Sequence, residues 1–557
     1  MNLYDLFAIA GRRSPGKAAL CMPAMRADGP GAEAAPAAAA IPAIEWSYGE
    51  LLTRAEGVAA GLRRRGIGLG DRVACLLGNG PELVLLHLAL LRLGAILVPI
   101  NLAYRRREIG HILADAAPRL LVVEAAQRAV LDEVPAAERA SLEAVLDVAE
   151  LRRWSELELD TATAGGTARK RVAEAAGFLQ AAEAPEAAEI PGAPETANAG
   201  GTIAGAPGGD DLAVLLYTSG TTGTSKGAMI SHNNVLATVT GLLAAWNWRA
   251  GDVLLLALPL FHVHGLVVGL DCALAAGATV ELRRRSDAAA AAGELASGAV
   301  TVFFGVPTVY VRLVEEMRRR GGDPAAYSGV RLFCSGSAPL APETFAAFHE
   351  LAGQAILERY GMTECGMILS NPYLGPRLPG QVGTPLPGVS VRLVDEEGRD
   401  LPAGAEGELL VRGANVFRGY WQAPEKTAAS FVQDAAGRRW FRTGDLARQD
   451  ARTGAFTLLG RRHELIISGG FNIYPREVEE TLLAFPGVRE AAVVGRPHAE
   501  WGEVPIAYLV AEPALEPPAL LAYCKRQLAA FKVPHEVRLL DALPRNALGK
   551  LQKHLLP

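Results

Sequence analysis

The residues best suited to chemistry stand in one short stretch, Tyr217–Ala228, which reads YTSGTTGTSKGA. Glycine lets a backbone approach an anion closely, while backbone N–H groups and hydroxyls donate hydrogen bonds to phosphate oxygens. Lys226 adds a mobile positive charge. The spacing differs from GxxxxGK[ST], which disfavours an ordinary P-loop nucleoside triphosphatase. We interpret the stretch as a phosphate-binding loop, because a merely flexible loop would explain the glycines but not the run of hydroxyls.

The composition disfavours several other functions. The chain has 557 residues, and its 55 Lys and Arg against 60 Asp and Glu lack the basic excess of a nucleic-acid-binding protein. Six scattered cysteines without a CxxC pair favour a reducing compartment, so we expect a cytoplasmic protein. The apolar run Leu83–Leu91 is too short to cross a bilayer, and the N-terminal charges follow their apolar stretch, unlike those of a secretory signal. Neither membrane insertion nor a nucleic-acid partner is therefore expected.

The elements that must position the loop alternate between strands and helices. Short buried-strand patterns occur at Asp71–Leu77, Ala95–Pro99, Leu212–Tyr217, Val253–Ala257, Thr301–Phe304 and Val330–Cys334. Helical patterns such as Pro81–Leu93 lie between them, which predicts a parallel sheet flanked by helices. After residue 460 the pattern becomes a small α+β unit. Its predicted helices are Pro475–Phe485 and Ala519–Phe531, and its predicted strands are Glu490–Val494 and Val504–Val510.

We therefore predict an α/β protein with two domains. The large N-terminal domain of helix-flanked sheets would cover residues 1–460, and the small α+β C-terminal domain would cover residues 461–557. Residues 24–43 and about 160–210 are rich in Ala, Gly and Pro, with too few large apolar side chains to offset their ordering entropy. We interpret both stretches as surface insertions or linkers.

Six motifs in order make the chain resemble the adenylate-forming superfamily of acyl-CoA synthetases, peptide-synthetase adenylation domains and luciferases. The motifs are Tyr217–Ala228, Tyr360–Glu364 (YGMTE), Thr443–Leu446 (TGDL), Gly460–Arg461, Ser468–Glu479 (SGGFNIYPREVE) and Pro544–Lys550 (PRNALGK). The resemblance covers the chain apart from the two insertions. It implies that a carboxylate attacks the α-phosphate of ATP to give an acyl-adenylate and pyrophosphate, after which a thiol, usually that of coenzyme A, displaces AMP. Such chemistry depends on charge neutralisation and positioning.

The resemblance also implies a role for individual residues in binding ATP. The phosphates would be held by Thr218, Ser219, Gly220, Thr221, Thr222, Gly223 and Lys226, with Thr363 as a further phosphate contact. The adenosine would be bound by Gly336, Ser337, Ala338, Pro339, Tyr360, Gly361, Asp445 and Arg461. Glu364 would hold Mg²⁺, a hard cation that takes oxygen ligands.

By the same resemblance the small domain is mobile and carries a catalytic lysine. Lys550 would reach the carboxylate and the α-phosphate during adenylation, acting with His262, Thr218 and Lys226. Rotation at a hinge, His463, would then withdraw Lys550 and bring Gly470 to the thiol tunnel. The family usually has Asp or Lys at this hinge. Because histidine changes charge between pH 5 and 8, we expect thioester formation to depend on pH more than adenylation does, unless any polar residue serves there.

The acid would contact His262, Met362 and Arg331. The segments LFHVHG, GVPTVY, RLFCSGSAPL and ERYGMTECGM resemble those of malonyl-CoA synthetases, in which an arginine at the position of Arg331 pairs with the second carboxylate of the substrate. A planar guanidinium suits such bidentate pairing. From the residues alone, a solvated arginine at a strand edge is the alternative.

The expected function is therefore an ATP-dependent ligase that makes malonyl-CoA, or methylmalonyl-CoA, from the free diacid with ATP, Mg²⁺ and coenzyme A. One alternative is a ligase for a short-chain, medium-chain or aromatic monocarboxylate. Another is a stand-alone adenylation enzyme that loads a carrier protein. A nucleotide-binding regulator without activity is a third, against which the presence of Lys226, Glu364, Asp445 and Lys550 argues.

Overall fold

The computed structural model describes most of the chain. The described residues are 2–24, 43–164, 207–218, 225–468, 471–498, 501–513, 515–528, 530–546, 549 and 551–557. Most of both predicted insertions therefore lies outside the described residues. No helix among the described residues is long and apolar enough to span a membrane.

The secondary structure of the described residues alternates as predicted for the first 350 residues and becomes richer in strands afterwards. The helices are Leu3–Arg13, Tyr48–Arg64, Pro81–Leu93, Arg106–Ala116, Arg128–Asp132, Val148–Ala164, His232–Ala245, Cys272–Ala276, Ala288–Ala296, Pro307–Arg319, Pro342–Ala352, Pro424–Ala429, Pro475–Leu483 and Pro517–Gln527, with a π-helix at His264–Asp271. Strands β1 to β25 are Ala18–Met22, Ile44–Ser47, Arg72–Leu76, Ile96–Pro99, Leu120–Val123, Ala144–Asp147, Leu212–Thr218, Lys226–Ser231, Val253–Leu256, Thr279–Leu282, Val302–Gly305, Leu332–Ser335, Leu357–Met362, Gly366–Ser370, Gln381–Pro385, Val389–Val394, Glu406–Gly413, Phe431–Gln433, Arg439–Gln449, Phe456–Arg461, Ile466–Ser468, Phe471–Ile473, Val488–His498, Gly502–Ala511 and Glu536–Leu539.

A six-stranded sheet in the order β6-β5-β3-β4-β7-β8 carries the ends of the phosphate loop. Its strands β4 and β5 are continuous apolar runs, and β3 is apolar after Arg72. This pattern is typical of parallel strands that are covered by helices, here by Pro81–Leu93 among others. Strand β7 runs parallel to β4 and pairs with β8 in an antiparallel hairpin. Thr218 lies opposite Lys226 in that hairpin, so the two ends of the loop are held side by side.

A fourteen-stranded sheet carries the remaining motifs of the large domain. Strands β1, β10, β9, β11, β12 and β13 run parallel to one another. Beyond β13 the sheet continues in the order β14, β15, β20, β19, β17 and β16, in which neighbours are antiparallel. Gly336 follows β12, while Tyr360 lies on β13 next to it. Because ligands of parallel sheets bind beyond the carboxyl ends of the strands, both residues are on the expected side for a site.

A five-stranded sheet, β22-β21-β24-β23 with β25 beside β24, forms the carboxyl-terminal unit. Helices Pro475–Leu483 and Pro517–Gln527 pack on it through a core that includes Ile473, Val478 and Leu520. The predicted α/β fold class, with large sheets followed by a small α+β unit, is confirmed. The bounds of the last helix differ from the prediction of Ala519–Phe531. The helix begins at Pro517, since proline suits the first turn, and it ends at Gln527. The domain boundary at 460/461 stays a prediction.

Candidate active site

Both ends of the phosphate loop are anchored to the helix Arg106–Ala116. Before the loop, the Tyr217 hydroxyl donates to Asp115 Oδ2 at 2.5 Å. After it, His111 Nε2 lies 2.8 Å from the Ser225 carbonyl oxygen. His111 and Asp115 are four residues apart and therefore share one face of the helix. The predicted phosphate-binding residues Ser219, Gly220, Thr221, Thr222 and Gly223 lie outside the described residues, so their contacts stay predictions.

Three of the predicted adenosine-binding residues form one cluster. The Tyr360 hydroxyl donates to Asp445, and Arg461 Nε pairs with the other Asp445 oxygen at 2.8 Å. Arg461 also donates to the Thr443 carbonyl at 3.1 Å, and the Asp445 N–H donates to Thr443 Oγ1 at 3.0 Å. Burial and the Asp445 carboxylate raise the pKa of Tyr360 well above its ordinary value, which keeps its hydroxyl protonated. Residues of three motifs thus meet at one point.

Glu364 has surroundings that suit a magnesium ligand. It is 7% exposed, and its Oε1 accepts a hydrogen bond from the Tyr420 hydroxyl at 2.9 Å. Mg²⁺ is usually bound through one or two carboxylates together with substrate phosphates. The described residues contain no cluster of three or more acidic, His or Cys side chains that could hold a metal alone. A single carboxylate near the phosphate loop therefore fits an ion that is shared with ATP.

The segment Gly336–Pro339 presents its backbone beside two histidines. Ser337, Ala338 and Pro339 are exposed, and Ser337 has a φ of +71°, which is uncommon for a residue with a side chain. Its Oγ lies 3.2 Å from His264 Nδ1, and the His264 N–H donates to His262 Nδ1 at 3.2 Å. Burial and the neighbouring Arg359 lower the pKa of His264 well below its ordinary value, so this ring is neutral.

Arg359 is the feature that sequence reasoning missed. It precedes Tyr360 on β13, is 4% exposed, and its Nε and Nη2 have no hydrogen-bond partner among the described residues. Its guanidinium occupies the space that a Cβ at Gly336 would fill. Within the described part of the chain, the one side chain hydrogen-bonded to it is the neutral Cys334. A buried charge without an acidic partner is costly, and here it faces the strand end where the predicted pocket begins. The arginine in ERYGMTE was visible in the sequence, but its isolation from every described acid was not.

The structure corrects the prediction for Arg331. Its Nε and Nη2 bind both oxygens of Asp252 at 2.7 and 2.6 Å, and its Nη1 donates to the Trp246 carbonyl at 2.9 Å. Arg331 also precedes β12, whereas Gly336 follows it, so the two are separated by about 16 Å along an extended strand. Bidentate carboxylate pairing does occur, but the carboxylate belongs to the protein itself. Arg331 is therefore not available as the partner of the substrate.

The remaining predicted site residues are placed only in part. Met362 Sδ lies 4.0 Å from the Tyr360 hydroxyl, and Gly361 and Thr363 flank it on the same strand and turn. His262 is half-buried beside His264. Lys550 and Gly470 lie outside the described residues, as does the side chain of His463. The backbone of His463 forms a short turn between Arg462 and Glu464.

The turn at His463 is held by ion pairs on both sides. Arg462 Nη1 pairs with Glu408 of β17 at 2.8 Å, which ties it to the fourteen-stranded sheet. Glu464 pairs at 3.1 Å with Lys553, a residue of the carboxyl-terminal unit. Such an arrangement is compatible with a hinge between the two units, although the hinge role of His463 stays a prediction.

Comparison with known proteins identifies the family. Residues 30–421 match the model of the AMP-binding enzymes, and residues 477–550 match that of the AMP-binding enzyme C-terminal domain. The mitochondrial malonate–CoA ligase of Mus musculus is 39% identical over 378 residues, which cover 62% of this chain and 64% of that protein. The chain thus matches slightly less than two thirds of the length of that relative.

Two other matches span nearly the whole chain. The sulfoacetate–CoA ligase of Cupriavidus necator is 35% identical over 511 residues, 91% of each protein. The crystal structure of ATP-bound MatB from Rhodopseudomonas palustris is 37% identical, with a TM-score of 0.81, and the match covers 100% of this chain and 98% of that one.

Proposed function

The chain belongs to the family of AMP-binding enzymes, and from that premise we propose that it is an ATP-dependent ligase that joins malonate to coenzyme A through a malonyl-adenylate. The observation that carries the choice of acid is Arg359, a buried cation without an acidic partner among the described residues. In a pocket for a purely apolar acyl chain, no interaction with the substrate would offset the desolvation free energy of this charge. A second carboxylate on the substrate would neutralise it.

In the first step, formation of the acyl-adenylate, different residues would bind different parts of ATP. Thr218 and Lys226, at the two ends of the phosphate loop, would bind the phosphates of ATP. Asp445, fixed by Arg461, would accept hydrogen bonds from the ribose hydroxyls, while Tyr360 and the backbone of Gly336–Pro339 would bind the adenine. Glu364 and Thr363 would face the phosphates, where bound Mg²⁺ would offset negative charge.

The acid would be oriented by its two ends. Arg359 would bind the distal carboxylate through Nε and Nη2, with Met362 beside it. His262 would lie at the reacting carboxylate, where Lys550 would help two anions to approach each other. In the second step, coenzyme A would displace AMP past Gly470 after rotation at His463.

A sulfoacetate ligase is the second candidate. Sulfoacetate, like malonate, carries an anionic group one carbon away from its carboxylate, and a guanidinium binds a sulfonate as well as a carboxylate. The relative from Cupriavidus necator, whose name specifies this acid, matches 91% of the chain. Arg359 alone does not distinguish the two acids, so both belong in the test.

The decisive experiment measures AMP release that requires both ATP and coenzyme A, with the thioester identified by mass spectrometry. The acids are malonate, methylmalonate, sulfoacetate, succinate, acetate, butyrate, octanoate and benzoate. We expect kcat/KM for malonate to exceed that for acetate by about 100-fold, as a charged pair of about 3 kcal/mol would give. Preference for a monocarboxylate would refute the choice of acid. AMP release that needs a carrier protein instead of coenzyme A would support the carrier-loading alternative.

A further inference from the structure

Tyr420 joins two groups that come from different parts of the phosphate site. Its hydroxyl donates to Glu364 Oε1 at 2.9 Å. Its ring faces Lys226, whose Nζ lies 5.4 Å from the ring centroid. The residue belongs to none of the six motifs, yet it touches both the expected magnesium ligand and the lysine at the end of the phosphate loop.

The backbone around Tyr420 is held firmly. Tyr420 forms a β-bridge with Ala228, and the Trp421 N–H donates to the Gly227 carbonyl at 2.7 Å. The Tyr420 N–H donates to Thr427 Oγ1 at 2.9 Å. The segment after β17 is thereby tied to β8, so the position of Tyr420 relative to Lys226 is fixed by the main chain.

Tyr420 affects Glu364 through its hydroxyl and Lys226 through its ring. The Tyr420 hydroxyl donates its hydrogen bond to one of the two oxygens of the Glu364 carboxylate, Oε1. A donor on Oε1 fixes the rotation of the Glu364 carboxylate and leaves Oε2 for a cation. Burial and the like charge of Lys426 lower the pKa of Lys226, and an aromatic face near the ammonium stabilises its charged form.

We propose that Tyr420 is a positioning residue for the binding of magnesium and ATP: it orients Glu364 toward the metal ion and holds Lys226 beside the phosphates. The inference rests on the proposed roles of Glu364 and Lys226, and it is independent of which acid the enzyme activates. The hydroxyl orients the Glu364 carboxylate, and the ring stabilises the ammonium group of Lys226.

The test compares Tyr420→Phe with Tyr420→Leu. Mn²⁺ replaces Mg²⁺, and its binding to the protein with β,γ-imido-ATP is followed by electron paramagnetic resonance, while binding of the nucleotide is measured by calorimetry. Tyr420→Phe keeps the ring and its packing on Phe417. We expect it to weaken Mn²⁺ binding about tenfold, the effect of one hydrogen bond to a charged group. Tyr420→Leu should in addition weaken nucleotide binding about threefold.

Tyr4 offers a matched control. Its hydroxyl donates to Glu56 Oε1 at 2.8 Å, the same kind of contact, here between the helices Leu3–Arg13 and Tyr48–Arg64. Tyr4→Phe should leave Mn²⁺ binding unchanged. Glu364→Gln should abolish the binding of Mn²⁺ to the protein, seen as an undiminished spectrum of the free ion. If it does not, the role proposed for Glu364 fails, and the orienting role of the Tyr420 hydroxyl fails with it.

The Phe variant decides the proposal even if the Leu variant does not fold. Unchanged Mn²⁺ binding in Tyr420→Phe, with Glu364→Gln impaired, would overturn the proposal. An equal loss in Tyr4→Phe would overturn it as well, because the effect would then reflect general stability.

Discussion

Replacing Arg359 by methionine should make the protein more stable and less selective at the same time. Methionine has a similar length and no charge to desolvate. Exchange of an unpaired buried charge for a packed apolar side chain is expected to raise the free energy of unfolding by about 1–3 kcal/mol. Loss of the charged pair with the distal carboxylate should cost about 2–5 kcal/mol of transition-state binding, so selectivity for malonate over acetate should fall by about 30-fold or more.

Arg331→Met is the matched control, because the same exchange is made at an arginine that already has a partner. It leaves the Asp252 side chain, 4% exposed, without its guanidinium. Breaking a buried pair in this way typically costs about 3–5 kcal/mol of stability. Selectivity between malonate and acetate should be unchanged in the molecules that fold. The two variants should therefore shift stability in opposite directions.

Two measurements give the answer: urea unfolding without ligands, and kcat/KM for malonate and acetate. Malonate should also raise the unfolding midpoint of the wild type but not that of Arg359→Met, since ligands stabilise only the state that binds them. Our reasoning would be refuted by an Arg359→Met variant that is less stable than the wild type and equally selective. Such a result would make Arg359 a structural residue with an unrecognised partner.

Two further predictions concern stability and the lysine loop. Burial lowers the pKa of His232 to about 4, so the unfolded chain takes up a proton at a higher pH than the folded protein does. The free energy of unfolding should therefore decrease below pH 6.5, by about 2 kcal/mol at pH 5. In urea titrations, His232→Gln should lack this part of the decrease. Arg545 Nη1 donates to the Gly549 carbonyl at 2.7 Å, next to Lys550, so Arg545→Gln should slow ATP–pyrophosphate exchange about tenfold or more, whereas the surface variant Arg489→Gln should not.

Either prediction can fail cleanly. A constant difference in stability between the wild type and His232→Gln from pH 5 to 7.5 would show that the imidazole titrates normally in the folded protein. Equal exchange rates for Arg545→Gln and the wild type would show that the contact with Gly549 does not position the neighbouring lysine.

Local patterns in the sequence were sufficient for the fold class and for most strands. Buried parallel strands are short apolar runs, and proline marks the first turn of the helix Pro81–Leu93, which begins and ends as predicted. The clustering of Tyr360, Asp445 and Arg461 could be expected only from the family resemblance. These residues lie on strands that are far apart in the sequence, so no local pattern indicates that they meet in the fold.

The two arginines show what the sequence could not resolve. Arg331 and Arg359 both adjoin pocket motifs, and each has the charge that a diacid requires. Asp252, which neutralises Arg331, is 79 residues away in the chain, and only the folded sheet brings the two together. The direction of β12 was the available signal: a residue before a parallel strand is at the edge opposite to the ligand side.

The contact between Gly336 and Arg359 constrains how the specificity of this enzyme could change during evolution. A Cβ at position 336 would overlap with Arg359 Cζ, so a side chain there would have to displace the guanidinium. Loss of the arginine removes both the charge and the obstacle. Substitutions at the two positions are therefore expected to be epistatic, because a side chain at position 336 is accommodated most easily once position 359 has lost its guanidinium.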